Sequence, residues 1–154
     1  MRIAVAADHA AVELRRAVLA HLADRGHETI DLGIDDPLDP DDYPDRAADL
    51  GRAMTSGEAD VGLLLCGSGA GASIAANKIH GVRAALCHDM FSAHQSREDD
   101  DANVMCLGAR IVGQSLALDL VDVFLNARFS GLERHQRRLD KVLALERSGV
   151  PSPS

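Results

Sequence analysis

Residues 61–76 read VGLLLCGSGAGASIAA, and this stretch decides the fold. Val61–Leu65 is a nearly continuous apolar run, as expected of a strand covered on both faces. Cys66-Gly67-Ser68-Gly69-Ala70-Gly71 then turns sharply, and Ala72–Ile79 has the length and composition of a short helix that stops at Gly81. A buried strand that feeds a helix through a glycine loop is half of a βαβ unit.

The same alternation extends in both directions. Upstream, Arg2–Ala7 reads as a buried strand. A helix follows with Val12, Leu14, Val18, Leu19 and Leu22 on one face, and Gly26 as its stop. Glu28–Leu32 is a second strand, Gly33–Pro44 an Asp- and Pro-rich loop, and Asp45–Met54 a helix. Downstream, Val82–Cys87 is a fourth strand, Phe91–Arg97 a helix and Val104–Leu107 a fifth strand. Ser115–Leu125 is amphipathic, and Leu132–Arg147 is a charged final helix. Strands alternating with helices predict an α/β fold: a five-stranded parallel sheet with helices on both faces. The flavodoxin-like order 2-1-3-4-5 suits five strands at this length. Ligands in such sheets sit beyond the C-terminal strand ends where the order reverses. Strand one ends at Asp8-His9 and strand three at the glycine loop, so these two ends are expected to face one site.

Composition narrows the function. The chain has 154 residues, which suits one domain over 1–150 with a disordered tail at 151–154. Aromatics are 3% against 46% hydrophobic residues, so the core must be Leu, Val, Ile and Ala. Acids outnumber bases 24 to 16, which argues against a nucleic-acid surface. No apolar run approaches the roughly 20 residues of a membrane span. Three cysteines without paired spacing form no disulfide framework, and the expected setting is the reducing cytoplasm.

The glycine loop offers backbone N–H groups at the start of a helix, a place for an anion or a developing oxyanion. Its G-x-G-x-G spacing is not the dinucleotide fingerprint, it has no Walker lysine, and Cys66 occupies the place of the first glycine in a nucleophile elbow. Cys66 is the sharpest residue. A free thiol is only a few per cent thiolate at pH 7, and a helix N-terminus with nearby cations favours the anion. Cys87 and Cys106 lack such a loop and read as core. Asp8 and His9 lie opposite. Arg134 and Arg138 share a helix face and, with Arg110, could clamp a phosphate. His and Cys are too scattered for a metal site.

Taken together, these residues resemble the ribose-5-phosphate isomerase type B family, which also includes galactose-6-phosphate isomerases. The matching residues are Ala7-Asp8-His9, Asp42-Tyr43-Pro44, Cys66-Gly67-Ser68-Gly69 with Gly71, and Ile74-Ala75-Ala76-Asn77-Lys78. Further on they are Gly81-Val82-Arg83-Ala84, Asn103-Val104, Gly108-Ala109-Arg110 and Arg134-His135-Gln136 with Arg138. The resemblance implies a Rossmann-like subunit in a homodimer or homotetramer, acting on a sugar phosphate with no cofactor. It implies that Cys66 is the base shuttling a proton between C1 and C2, and that Ser68 contacts the sugar. Gly67, Gly69, Ala70 and Gly71 would offer N–H groups to the enediolate, and Asp8 would hold sugar hydroxyls. His9, Arg110, Arg134 and Arg138 would take the phosphate, the last two from a neighbouring subunit, while Tyr43 lines the pocket.

One segment departs from the pattern. Asp99 stands where the family has His and Asp100 where it has Asn. That His is tied to opening the furanose ring, so Asp99 is expected to move a proton there and Asp100 to contact substrate. The alternative is a substrate with no ring to open, such as a four-carbon sugar phosphate. The expectation is therefore an aldose–ketose isomerase, with ribose 5-phosphate and ribulose 5-phosphate as its pair. Erythrulose 4-phosphate is the rival substrate, and a non-catalytic sugar-phosphate-binding module is the alternative of another class.

Overall fold

The computed structural model describes residues 1–150. The Pro151–Ser154 tail, expected to be disordered, lies outside the described residues. Five parallel strands form one sheet: β1 (Arg2–Ala7), β2 (Glu28–Asp31), β3 (Val61–Cys66), β4 (Ala84–Leu86) and β5 (Val104–Gly108). Six α-helices accompany them: α1 (Val12–Asp24), α2 (Tyr43–Thr55), α3 (Ala70–Ala76), α4 (Met90–Glu98), α5 (Gln114–Asn126) and α6 (Glu133–Ser148).

The α/β class is as expected, but the strand order is 2-1-3-5-4 rather than 2-1-3-4-5. The fifth strand lies between the third and fourth, with Cys66 beside Gly108. Burial explains the exchange. All five residues of β5 are buried, as an inner strand requires, whereas β4 is three residues long with Leu86 exposed. A short strand suits an edge. Asn77 covers that edge like a strand partner: its Nδ2 donates to the Ala84 carbonyl at 2.8 Å, and its Oδ1 accepts from the Ala84 N–H at 2.9 Å. Asn103 closes the entry to β4 by accepting from the Arg83 N–H at 2.8 Å.

Alternating side chains split the core in two. Ile3 and Val5 face α1 and α5, where Leu14, Val18, Leu22, Leu120 and Phe124 pack. Ala4, Ala6, Leu64, Cys66 and Cys106 face α2 and α3, through Ala47, Leu50, Ala72 and Ala76. The second layer is mostly alanine, so its helices approach the sheet closely. A Cβ on Gly62 would meet Leu50 Cδ2 at 2.9 Å. That close approach is how a chain with so few aromatics fills its interior.

Two helices start two residues earlier than expected. α2 begins at Tyr43, with Pro44 in its first turn, where a proline's missing N–H costs nothing. α3 begins at Ala70, directly after Gly69 at φ 77°. Gly71 therefore belongs to the helix rather than the loop.

Candidate active site

The C-terminal ends of β1 and β3 open into a cleft of about 380 Å³. It is lined by Asp8, His9, Tyr43, Cys66, Gly67, Ser68, Gly71 and Arg110, all named from the sequence, together with Ala10 and Ile111. The topology accounts for this convergence. From β1 the chain turns one way, to β2, and from β3 it crosses the other way, so the two strand ends leave a crevice between their loops.

Cys66 is the last residue of β3 and only 4% exposed. The Gly69 N–H donates to its Sγ at 3.0 Å, and a donor aimed at sulfur stabilises negative charge there. Gly69 has the left-handed backbone needed to aim that donor. A side chain at Gly69 would also collide with Leu86 Cδ1 at 2.4 Å. The turn after β5 holds the loop from the other side. The Ala109 N–H donates to the Cys66 carbonyl at 2.8 Å, and the Arg110 N–H to the Gly67 carbonyl at 3.0 Å. Ser68 is exposed at the mouth, and its Oγ accepts from the Ala70 N–H at 3.3 Å. Gly71 leaves space for the Tyr43 ring, whose Cζ would lie 2.7 Å from an added Cβ.

Across the cleft, Asp8 is 6% exposed and accepts from the Ala10 N–H at 2.9 Å. Burial pushes its carboxyl above the ordinary carboxylate value, partly countered by the Ala10 N–H. An acid raised in the fold is destabilising when ionised: the cost is present above its folded value and absent below its unfolded value, near about 3.9. Asp8→Asn keeps the cap and the shape, so the variant should melt above the parent at neutral pH, with the difference fading as acid melts approach pH ~3.9. In the sugar-binding role that the resemblance implies for Asp8, its turnover should fall roughly tenfold. Thermal melts across pH and an activity assay check both halves. His9 Nδ1 lies 3.1 Å from the Asp41 carbonyl, which fixes the ring and leaves Nε2 free. No pattern in the sequence points to Asp41, which belongs to an irregular loop pinned by an ion pair to Arg46 at 3.3 Å.

Six of the named residues do not line this cleft within one chain; two of them, Gly69 and Ala70, still belong to the glycine loop and the start of α3 beside Cys66. Asp99 caps α4, with Oδ1 3.3 Å from His135 Nδ1, and Gln95 Nε2 donates to its Oδ2 at 3.2 Å. Buried His135 also meets Ser130 Oγ at 2.6 Å and accepts from Arg134 Nε at 2.9 Å. Asp100 lines a separate cleft with Arg83 and Glu146. Arg138 is exposed on α6. Among the described residues, Arg110, Arg134 and Arg138 pair with no carboxylate. No group of three or more His, Cys, Asp or Glu side chains among those residues is placed to hold a metal ion. No described helix is long and apolar enough to cross a membrane.

The model of the Ribose/Galactose Isomerase family matches residues 3–142. The chain belongs to that family. Its relatives include ribose-5-phosphate isomerase B of Escherichia coli, 43% identical over 145 residues that cover 94% of this chain and 96% of that one. They also include D-erythrulose-4-phosphate isomerase of Pectobacterium atrosepticum, 40% identical over 85% of this chain and 86% of that one. The structure of ribose-5-phosphate isomerase B from Clostridium thermocellum superposes with a TM-score of 0.93 at 43% identity, covering 97% of this chain and 100% of the other. As a member of the ribose/galactose isomerase family the chain is an isomerase, acting on sugar phosphates.

Proposed function

We propose that the protein interconverts an aldose and a ketose phosphate, ribose 5-phosphate and ribulose 5-phosphate in the first instance, through a cis-enediolate. One observation carries the reading: the buried Cys66 Sγ, with an N–H aimed at it, shares a cleft with Asp8, His9 and Arg110. The Cys66 thiolate takes the proton from C2 of the open-chain aldose. The electron pair moves into a C1–C2 double bond and charge collects on O1. Amides of Gly67 and Gly69 in the loop and of Ala70 and Gly71 in the first turn of α3 stabilise that oxygen. The thiol then returns the proton to C1, while Ser68 passes the accompanying hydroxyl proton from O2 to O1. One base beside an amide-lined hollow suffices for this chemistry, and no step calls for a metal or nucleotide.

Asp8 orients the sugar hydroxyls, and Tyr43 walls the pocket. The phosphate lies against His9 Nε2 and Arg110, and a second copy supplies Arg134 and Arg138 in a homodimer or homotetramer. The lack of carboxylate partners for these arginines supports the assignment in a chain of net charge -8. So do Val142 and Leu145, left exposed on α6. The enzyme works in the cytoplasm, where its thiols stay reduced. Arg110→Ala should raise KM by roughly 10- to 100-fold with a smaller change in kcat, the scale of one charge-assisted contact. Steady-state kinetics separate the two parameters.

A second reading keeps the chemistry and changes the substrate. Both oxygens of Asp99, expected to move a proton during ring opening, are engaged inside their own chain. An open-chain four-carbon sugar phosphate needs no such group. A panel of four-, five- and six-carbon aldose phosphates decides: ribose 5-phosphate should show the highest kcat/KM, and a marked preference for erythrose 4-phosphate would replace it with the second reading.

A further inference from the structure

We propose that His88 is a positioning residue of the active site: its imidazole stands in for a missing residue of β4 and seats the turn that carries Arg110 and braces Cys66. β4 ends at Leu86, and the rung after it is the Cys87 N–H donating to the Cys106 carbonyl at 3.2 Å. β5 runs on to Gly108, which pairs with Cys66 on its other side. Gly108 is buried, and the register of β4 with β5 ends at Leu86 opposite Cys106, two residues short of it. His88 Nε2 accepts that N–H at 3.0 Å. A buried donor left unmade is costly, so the side chain completes the ladder where the strand has stopped.

The geometry fixes which form of the ring does this. A nitrogen that accepts from an amide carries no proton, so the neutral ring bears its hydrogen on Nδ1. The backbone that carries the ring is also held on both sides. Cys87 on one side makes the last rung, and Asp89 on the other accepts from the Ser92 N–H at 2.8 Å to cap α4.

Gly108 sits where the backbones of β5 and the glycine loop press together. A Cβ there would lie 2.6 Å from both the backbone carbon and oxygen of Ser68. The next two N–H groups bind the carbonyls of Cys66 and Gly67. The height of this turn therefore sets where Cys66, Ser68 and Arg110 stand relative to one another. His88 does not line the cleft, so it acts through Gly108 and not on the substrate.

The kinetic arm of the test rests on the isomerase reading, while the spectroscopic arm does not. His88→Leu keeps bulk and removes the acceptor; His88→Gln places a carbonyl oxygen where it can accept. In the parent, ¹⁵N NMR should show His88 Nε2 with the shift of an unprotonated, hydrogen-bonded nitrogen. The Gly108 amide should move in the Leu variant and return toward its parent position in the Gln variant. kcat should fall roughly tenfold in the Leu variant with KM little changed, and the Gln variant should recover most of it. A proton on Nε2 in the parent would overturn the proposal. Equal kcat in all three proteins, or equal losses in both variants, would do the same. If the Leu variant does not fold, the parent spectrum and the Gln variant still decide. If the parent turns over no sugar phosphate, the isomerase reading fails while the amide and ring shifts still test the seat.

Discussion

Replacing Cys66 with Ala should reduce turnover by roughly 10² to 10⁴, the scale of losing a general base, while the protein stays folded and still binds sugar phosphate. Cys66 stands where β3 meets the cleft, so removing one sulfur costs little packing. Cys66→Ser should be nearly as inactive, because a hydroxyl is almost never ionised at neutral pH and cannot take the C2 proton. The other two thiols supply the contrast. Burial pushes both Cys87 and Cys106 up, and Cys106 lies deep in the layer beneath α3. Cys106→Ala should therefore lower stability and leave kcat near the parent value. Binding isotherms beside turnover numbers separate a lost base from a lost site. A Cys66→Ala enzyme that retains full turnover would remove Cys66 from the mechanism.

Gly108→Ala should damage both stability and activity, although Gly108 touches no substrate. The added Cβ meets the Ser68 backbone carbon and oxygen at 2.6 Å and Ile111 Cγ1 at 2.7 Å. Side-chain ends can yield, but two backbone atoms of the glycine loop cannot yield without moving the loop. Overpacking of this kind costs about 1–3 kcal/mol. A displacement near 1 Å of the groups flanking the reacting atoms costs about 10²-fold in rate. Thermal melts and kcat should fall together, and a crystal structure of the variant should show Ser68 shifted away from β5. An unshifted loop with full turnover would contradict the tight seat.

Much of this architecture was legible because local pattern and covalent order carry it. The apolar run of β3, the glycine loop and the strand ending at Asp8 are each adjacent in sequence. The rule that strand ends converge then places Asp8, His9, Cys66 and Ser68 together. The order of the last two strands was not legible. Val82–Cys87 and Val104–Leu107 are both short and apolar, and only burial separates the edge strand from the inner one. The contacts of Asp41 with His9 and of His88 with Gly108 were also hidden. Each joins residues 20 or more positions apart through an irregular segment, where no period points to a partner. The arginines of α6 show the same limit. Their spacing reveals a shared face, but the cleft proposed for that face belongs to a second copy of the chain, and no period in the sequence encodes such packing.

In the proposed reaction this cleft moves a proton between two carbons of a sugar phosphate. Isomerisation run in deuterated water and followed by NMR and mass spectrometry reads that transfer. Aldose product formed from ribulose 5-phosphate should carry solvent deuterium at C2, and the Cys66→Ala protein should form almost none. Deuterium-free product would contradict exchange at the thiol, and binding of sugar phosphates without any conversion would make the protein a binding module instead of an isomerase.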